Sequence, residues 1–219
     1  MFTTSDDLSQ ALGLFGLCFL YLRNVKGFGW NHKRVYRIYR ELELNLRIKP
    51  HKRERPKPLV VTARPSDTWS MDFMAGLFEP FMCWITSTNR EGLGIEVDVS
   101  LPSEHVTHAL WTELSNGAVN PGRFVVITDR KISVPIYVVW AETRGIQLDY
   151  IQPGKPQQNT YLERYNRTVR HEWLEMNEFP TIEEAQLTAT QWLWIYNNER
   201  PNMALGGITP AMKLAKLLN

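Results

Sequence analysis

The sequence predicts an α/β protein: a single sheet sandwiched by helices, preceded by a small helical segment. Three observations predict it. From about Leu59 onward, short β-branched and aromatic runs alternate with stretches of helical spacing. Before that, Phe15 to Leu46 repeats apolar residues at helical steps. Between the two lies a basic, proline-containing stretch, Arg47 to Pro58. A chain of 219 residues holds one substantial core plus a small appended module. With 43% hydrophobic and 22% charged residues it is neither disordered nor fibrous.

Taken in order, Met1 to Leu12 carries no pattern that assigns a structure. The apolar run from Leu12 to Leu22 is too short to span a bilayer and lacks the flanks of a signal peptide, so a cytoplasmic protein without a membrane partner is expected. A turn at Gly27-Phe28-Gly29 ends the first helical stretch, and Asn31 is placed to cap the next. Val35, Ile38, Tyr39, Leu42 and Leu46 then follow at helical steps. In Arg47 to Lys57 seven basic residues, Arg47, Lys49, His51, Lys52, Arg53, Arg55 and Lys57, crowd together although the whole chain carries only +2. Such a linker tracks phosphates without reading sequence. Strands are predicted over Thr68–Phe73, Gly92–Val99, Phe124–Ile127 and Ile146–Ile151. Helices are predicted from Ser103 to about Leu114, from Pro135 to Thr143, after Gln157, and from Ile182 to Asn197. Two cysteines, Cys18 and Cys83, are too few for a disulfide framework and have no metal-ligand spacing.

The helix after Gln157 holds the most informative pattern. Asn159, Glu163, Asn166, Arg167 and Arg170 recur at three- and four-residue steps as one polar stripe, while Leu162, Tyr165, Val169 and Trp173 line a face suited to a core. One carboxylate among cations on such a helix fits a metal-and-phosphate site. From the stripe alone a solvated face with intrahelical ion pairs fits as well.

The run Ile151-Gln152-Pro153-Gly154-Lys155-Pro156-Gln157-Gln158-Asn159 through Glu163-Arg164-Tyr165-Asn166-Arg167-Thr168 resembles integrase-core insertion-sequence transposases, relatives of retroviral integrases. Tyr196-Asn197-Asn198-Glu199-Arg200-Pro201 and Thr209-Pro210 resemble the same family's C-terminal signature. Trp30 to Arg37 resembles the helical DNA-binding segment that precedes its catalytic core. The resemblance implies a ribonuclease-H-like core over residues 59–219, a DNA-binding segment over 1–46 and a basic linker over 47–58. It implies metal-dependent nicking and strand transfer on insertion-sequence ends, with the end and target DNA as partners and a homo-oligomer as the active form. A bacterial, nucleoid-associated location goes with it. Lys33, Arg34, Arg37, Lys52, Arg53, Lys155, Asn159, Arg167 and Arg170 are the expected DNA contacts.

That chemistry displaces an oxygen at phosphorus in line, with two Mg2+ or Mn2+ ions about 3.5–4 Å apart on the attacking and leaving oxygens. Hard cations take oxygen ligands, so carboxylates must converge from separate elements. The resemblance assigns catalytic, metal-holding roles to Asp72, within Trp69-Ser70-Met71-Asp72-Phe73, and to Glu163. The second aspartate departs from the pattern. The family has Asp-Asn-Gly-Pro-Glu at the end of this strand, whereas the chain reads Ile127-Thr128-Asp129-Arg130-Lys131. Asp129 is the carboxylate present and so the candidate third catalytic, metal-holding residue, but the family's spacing falls on Ile127.

Back-translation suggests a cause. Ile127 to Val134 admits the codons ATA ACG GAC CGG AAA ATA TCA GTG. Moving the frame back one base, with a preceding G, gives Asp-Asn-Gly-Pro-Glu-Asn-Ile-Ser. Phe78 to Ser87 likewise admits a shifted reading, Arg-Ala-Val-His-Val-Leu-Asp-Asn-Phe, which resembles the family's second strand and joins Asn89-Arg90-Glu91-Gly92-Leu93 in frame. Compensated frameshifts in the encoding DNA are therefore expected. The alternative function is a catalytically dead remnant that at most binds DNA.

Overall fold

The computed structural model describes residues 15–42, 44, 67–75, 80–115, 121–127, 135–151 and 160–218. They group into two compact units, those within 57–193 and those within 1–56 together with 194–219.

The first unit is built on a five-stranded sheet of order β3-β2-β1-β4-β5. Its strands are β1 (Thr68–Ala75), β2 (Pro80–Thr86), β3 (Gly92–Val97), β4 (Arg123–Ile127) and β5 (Gln147–Ile151). β1, β2 and β3 pair antiparallel, whereas β4 runs parallel to both β1 and β5. The parallel pairs need crossovers, and the helices that the sequence predicts there lie within them. These are α3 (Ser103–Ser115) before β4 and α4 (Pro135–Thr143) before β5. After the sheet come α5 (Thr160–Glu172) and α6 (Ile182–Asn198).

Alternation along the strands divides the core. Trp69 and Met71 of β1, Met82 and Trp84 of β2, and Phe124 and Val126 of β4 pack with Val106, Ala109 and Leu110 of α3 and Ala141 of α4. The intervening residues of β1 and β2 look the other way, towards α5. There Leu162, Tyr165, Val169 and Trp173 are buried, as their spacing predicts. Trp173 meets Phe81 of β2 edge to face, with centroids 5.8 Å apart.

β2 is absent from the strands predicted for the chain as written, because its residues were read as out of frame, yet Pro80-Phe81-Met82-Cys83-Trp84-Ile85-Thr86 pairs on both sides as written. An aromatic and β-branched run suits a pleated, buried surface whichever frame produced it. At the free edge of β3, the Gln186 side chain of α6 accepts from the Val97 N–H and donates to the Ile95 carbonyl, both at 2.9 Å. That covers an edge that would otherwise be open to pairing.

Gly94 lies opposite Trp84 in the β2–β3 ladder, and a Cβ there would run into the indole. Trp84 is buried and has no room to swing away. Gly94→Ala is expected to destabilise the sheet by about 1–3 kcal/mol, read as a lower urea midpoint. An unchanged midpoint would show that this packing is not tight.

The second unit contains α1 (Phe15–Leu20), which continues into a π-helical turn over Tyr21–Val25, and α2 (His32–Glu41). Asn31 caps α2 as predicted, its side chain accepting from the Lys33 N–H at 2.8 Å. Val35 and Tyr39 form the buried side of α2, and the Tyr39 ring meets Phe15 edge-on at 5.4 Å. In the C-terminal part, the Thr209 hydroxyl accepts from the Met212 N–H at 3.2 Å, and Pro210 opens α7 (Pro210–Leu218). A capping threonine followed by proline in the first turn is a helix start in physical terms. Asn24 donates to the Gly207 carbonyl at 2.7 Å, tying this part to the helical segment. Among the described residues no helix is long and apolar enough to cross a membrane. Residues 1–12 and the linker 47–58 lie outside the described residues.

Candidate functional site

Asp72 sits near the end of β1 on the face turned towards α5, directly across the ladder from Cys83 of β2. Asn166 of α5 reaches both. Its Nδ2 donates to Asp72 Oδ2 at 2.7 Å, and its Oδ1 accepts from Cys83 Sγ at 2.8 Å. The other Asp72 oxygen, Oδ1, accepts from the Phe73 N–H at 2.8 Å. Burial, and secondarily the charge of Asp72, push the Cys83 thiol well above its ordinary pKa. The sulfur therefore keeps its proton and acts as a donor. A donor at that point holds the Asn166 carbonyl towards it, which leaves the amide N–H groups for the carboxylate. Cys83, Asn166 and Asp72 form one chain of hydrogen bonds that fixes the carboxylate's orientation.

Glu163 lies three residues before Asn166, on the same side of α5 and in its first turn. The position is favourable for an anion, because the unpaired N–H groups of a helix start are partially positive. The side chain is exposed, and partial desolvation raises its pKa above the ordinary value. Arg167 is exposed and Arg170 half-buried farther along the helix. The predicted polar stripe thus divides: Glu163, Arg167 and Arg170 are open to varying degrees, but Asn166 is buried and committed to Asp72 and Cys83.

Register also decides what stands beside Asp72 on the neighbouring strand. The β1–β4 ladder ends at Met71 opposite Val126, so Ile127 stands at the level of Asp72 on the neighbouring strand. Ile127 is also the last residue of β4 and pairs with Ile151 of β5. Asp129, Lys155, Asn159, Lys52 and Arg53 lie outside the described residues. Among those described, no three histidine, cysteine, aspartate or glutamate side chains gather where they could hold a metal ion. The structure therefore brings Asp72 together with the helix that carries Glu163, through Asn166. Lys33, Arg34 and Arg37 are exposed on α2, with Arg37 paired to Glu41 at 3.7 Å. The role of Cys83 was hidden in the sequence because strand register, not spacing, sets it opposite Asp72. Asn166 was visible only as a member of the stripe.

The integrase core domain family matches residues 144–210, which include α5 and Glu163. A 39.2 kDa protein of insertion element IS476 from Xanthomonas euvesicatoria is 32% identical over 193 residues, covering 83% of this chain and 54% of that protein. A 31.7 kDa protein of insertion element IS407 from Burkholderia multivorans is 31% identical over 199 residues, covering 85% of this chain and 70% of that protein. The chain thus spans about half of the first relative's length and more than two thirds of the second's. Among solved structures, the catalytic core domain of BIV integrase aligns with a TM-score of 0.55 at 16% identity, over 69% of this chain and 96% of that one. A chain of the simian T-cell lymphotropic virus intasome, solved with the B56 gamma regulatory subunit of PP2A, aligns with a TM-score of 0.58 at 12% identity. It covers 84% of this chain and 66% of that one. The structural matches establish a ribonuclease-H-like fold, and the sequence matches establish the kinship: the chain belongs to the insertion-sequence transposases with an integrase core, relatives of the retroviral integrases.

Proposed function

We propose that this chain engages insertion-sequence DNA as a transposase whose catalytic site lacks its second carboxylate. The observation that supports the reading is Asp72, oriented by Asn166 from the helix of Glu163, with Ile127 at its level on β4. Asp72 and Glu163 offer the hard oxygen ligands that Mg2+ or Mn2+ takes. Such ions, when held, stabilise the charge that builds on phosphate oxygens during nicking and strand transfer. A two-ion site needs a further carboxylate beside these two, and among the described residues no group of three such side chains gathers. Asp129 is the remaining candidate. It follows β4 by two residues and is succeeded by Arg130 and Lys131 rather than by the Asn-Gly of the family turn.

The second reading is a remnant that binds DNA without cutting it, and the place of Ile127 favours it. In both readings DNA contact falls to Lys33, Arg34 and Arg37 of α2, to Lys52 and Arg53 of the linker, and to Lys155, Asn159, Arg167 and Arg170 near the site. Insertion-sequence ends and target DNA are the partners, and a homo-oligomer is the working form.

Salt tests the shared part. Phosphate contacts release condensed counterions, so affinity for duplex DNA should fall steeply between low and physiological salt. Replacing Lys33, Arg34 and Arg37 by Glu should reduce both the affinity and the slope. An affinity unchanged by salt in the wild-type chain would remove the basis for DNA binding altogether.

A further inference from the structure

Gly27, at φ 74°, turns the chain out of the π-helical turn, and the Phe28 N–H donates to the Leu22 carbonyl at 2.9 Å. Four residues later Asn31, in extended conformation, caps α2. The short run between is anchored at both ends, and it presents Phe28 and Trp30 ring on ring. Their centroids lie 4.5 Å apart, with the planes 14° from parallel. Neither ring is in a core: Phe28 is 42% and Trp30 38% exposed. The Arg34 guanidinium lies over Trp30, 5.4 Å from the ring centroid. Lys33 and Arg37 are exposed on the same helix.

We propose that the Phe28–Trp30 pair and Arg34 form a stacking site for an unpaired nucleotide of the DNA that this chain engages. The proposal rests on the reading of α2 as a DNA-contacting helix and adds the form of DNA it takes there. Stacked aromatic rings beside exposed cations are what single-stranded sites are made of, because every base has a π-face and every nucleotide a phosphate. A base and a guanidinium are both flat groups that lie on an indole face, so a base can take the place of Arg34 over Trp30. Arg34, freed from the ring, then reaches the adjacent phosphate. Paired bases inside a duplex are stacked on one another and offer no free face, which selects an unpaired nucleotide. Arg34 over Trp30, with Lys33 and Arg37 exposed on the same helix, attracts a phosphate chain and disfavours a second copy of the same surface.

The experiment uses the full chain with a short single-stranded oligothymidylate and a blunt duplex, followed by tryptophan fluorescence and by anisotropy of labelled DNA. Trp30→Ala and Phe28→Ala are each expected to weaken single-strand binding about tenfold, with duplex affinity far less affected. Trp30→Phe, which keeps a ring, should retain most of the binding. Both side chains are exposed, and unchanged circular dichroism confirms that the helices persist. Single-strand affinity unaffected by removing either ring would overturn the proposal. So would equal losses for single strand and duplex, or an oligomer that dissolves in Trp30→Ala while DNA binding stays intact. Salt-dependent duplex binding alongside ring variants that behave as wild type would sink this proposal alone. Binding to neither DNA form would sink the wider DNA reading with it.

Discussion

Replacing residues 127–134 by Asp-Asn-Gly-Pro-Glu-Asn-Ile-Ser is expected to raise magnesium-dependent strand transfer on insertion-sequence ends by about 100-fold or more. Losing even an outer partner of a metal ligand costs about 10–100-fold in affinity or activity, and here a ligand itself is at stake. The β1–β4 register sets residue 127 level with Asp72, so an aspartate there stands beside the carboxylate that Asn166 already orients. Asp129 follows two residues later and lies about 6–7 Å farther along if the strand continues. Metal sites tolerate errors of only about 0.2 Å in ligand distance. Asp129 can replace residue 127 only if the chain folds back at once, and without the Asn-Gly pair such a turn is disfavoured. Arg130 and Lys131 would also bring positive charge towards the cations. Ile127→Asp alone separates the missing ligand from the missing turn, and adding Asp72→Asn to the restored chain should abolish the gain. Equal activity in the present and restored chains would show that Asp129 serves and that the site is complete without the shifted frame.

What the sequence made legible depended on how local the determining physics was. α4 spans the predicted Pro135–Thr143, and α6 starts at Ile182 as predicted, because helical periodicity and end signals are written in neighbouring residues. The Asn31 cap was legible for the same reason. The buried face of α5 followed from the three- and four-residue steps between Leu162, Tyr165, Val169 and Trp173. β2 was obscured because its residues were read in another frame, while pairing responds only to an apolar, strand-forming run. The bond of Asn166 to Asp72 joins residues 94 apart in sequence, and Cys83 enters the same chain of bonds across 83. No spacing rule connects such positions. Only the β1–β2 register and the packing of α5 on that face decide that they meet.

The hold of α5 on the sheet is also where the largest stability effect is expected. Trp173 follows the last residue of α5 and is almost wholly buried. Its N–H donates to the Val169 carbonyl at 3.1 Å, continuing the helical bond pattern, and its ring lies against Phe81 of β2 and Phe179. The indole Nε1–H donates to the Thr188 hydroxyl of α6 at 3.1 Å. Trp173→Ala removes the ring from all three neighbours and leaves a cavity that the sheet cannot close, at a cost of about 3–5 kcal/mol. Trp173→Phe keeps most of the volume and gives up the bond to Thr188, a loss of about 0.5–1.5 kcal/mol for the bond itself. Urea unfolding of the three proteins should therefore rank wild type, Trp173→Phe and Trp173→Ala, with a wide gap before the last. The consequence for the site is indirect but specific. Asn166 stands two turns before Trp173, and its hold on Asp72 depends on α5 staying seated. Backbone amide exchange in α5 should accelerate in Trp173→Ala more than in β4 and β5, which lie beyond β1 from the β2 strand that carries Phe81. A Trp173→Ala protein within about 0.5 kcal/mol of wild type, the range of ordinary surface changes, would mean that α5 is seated by other contacts and that Trp173 is not its anchor.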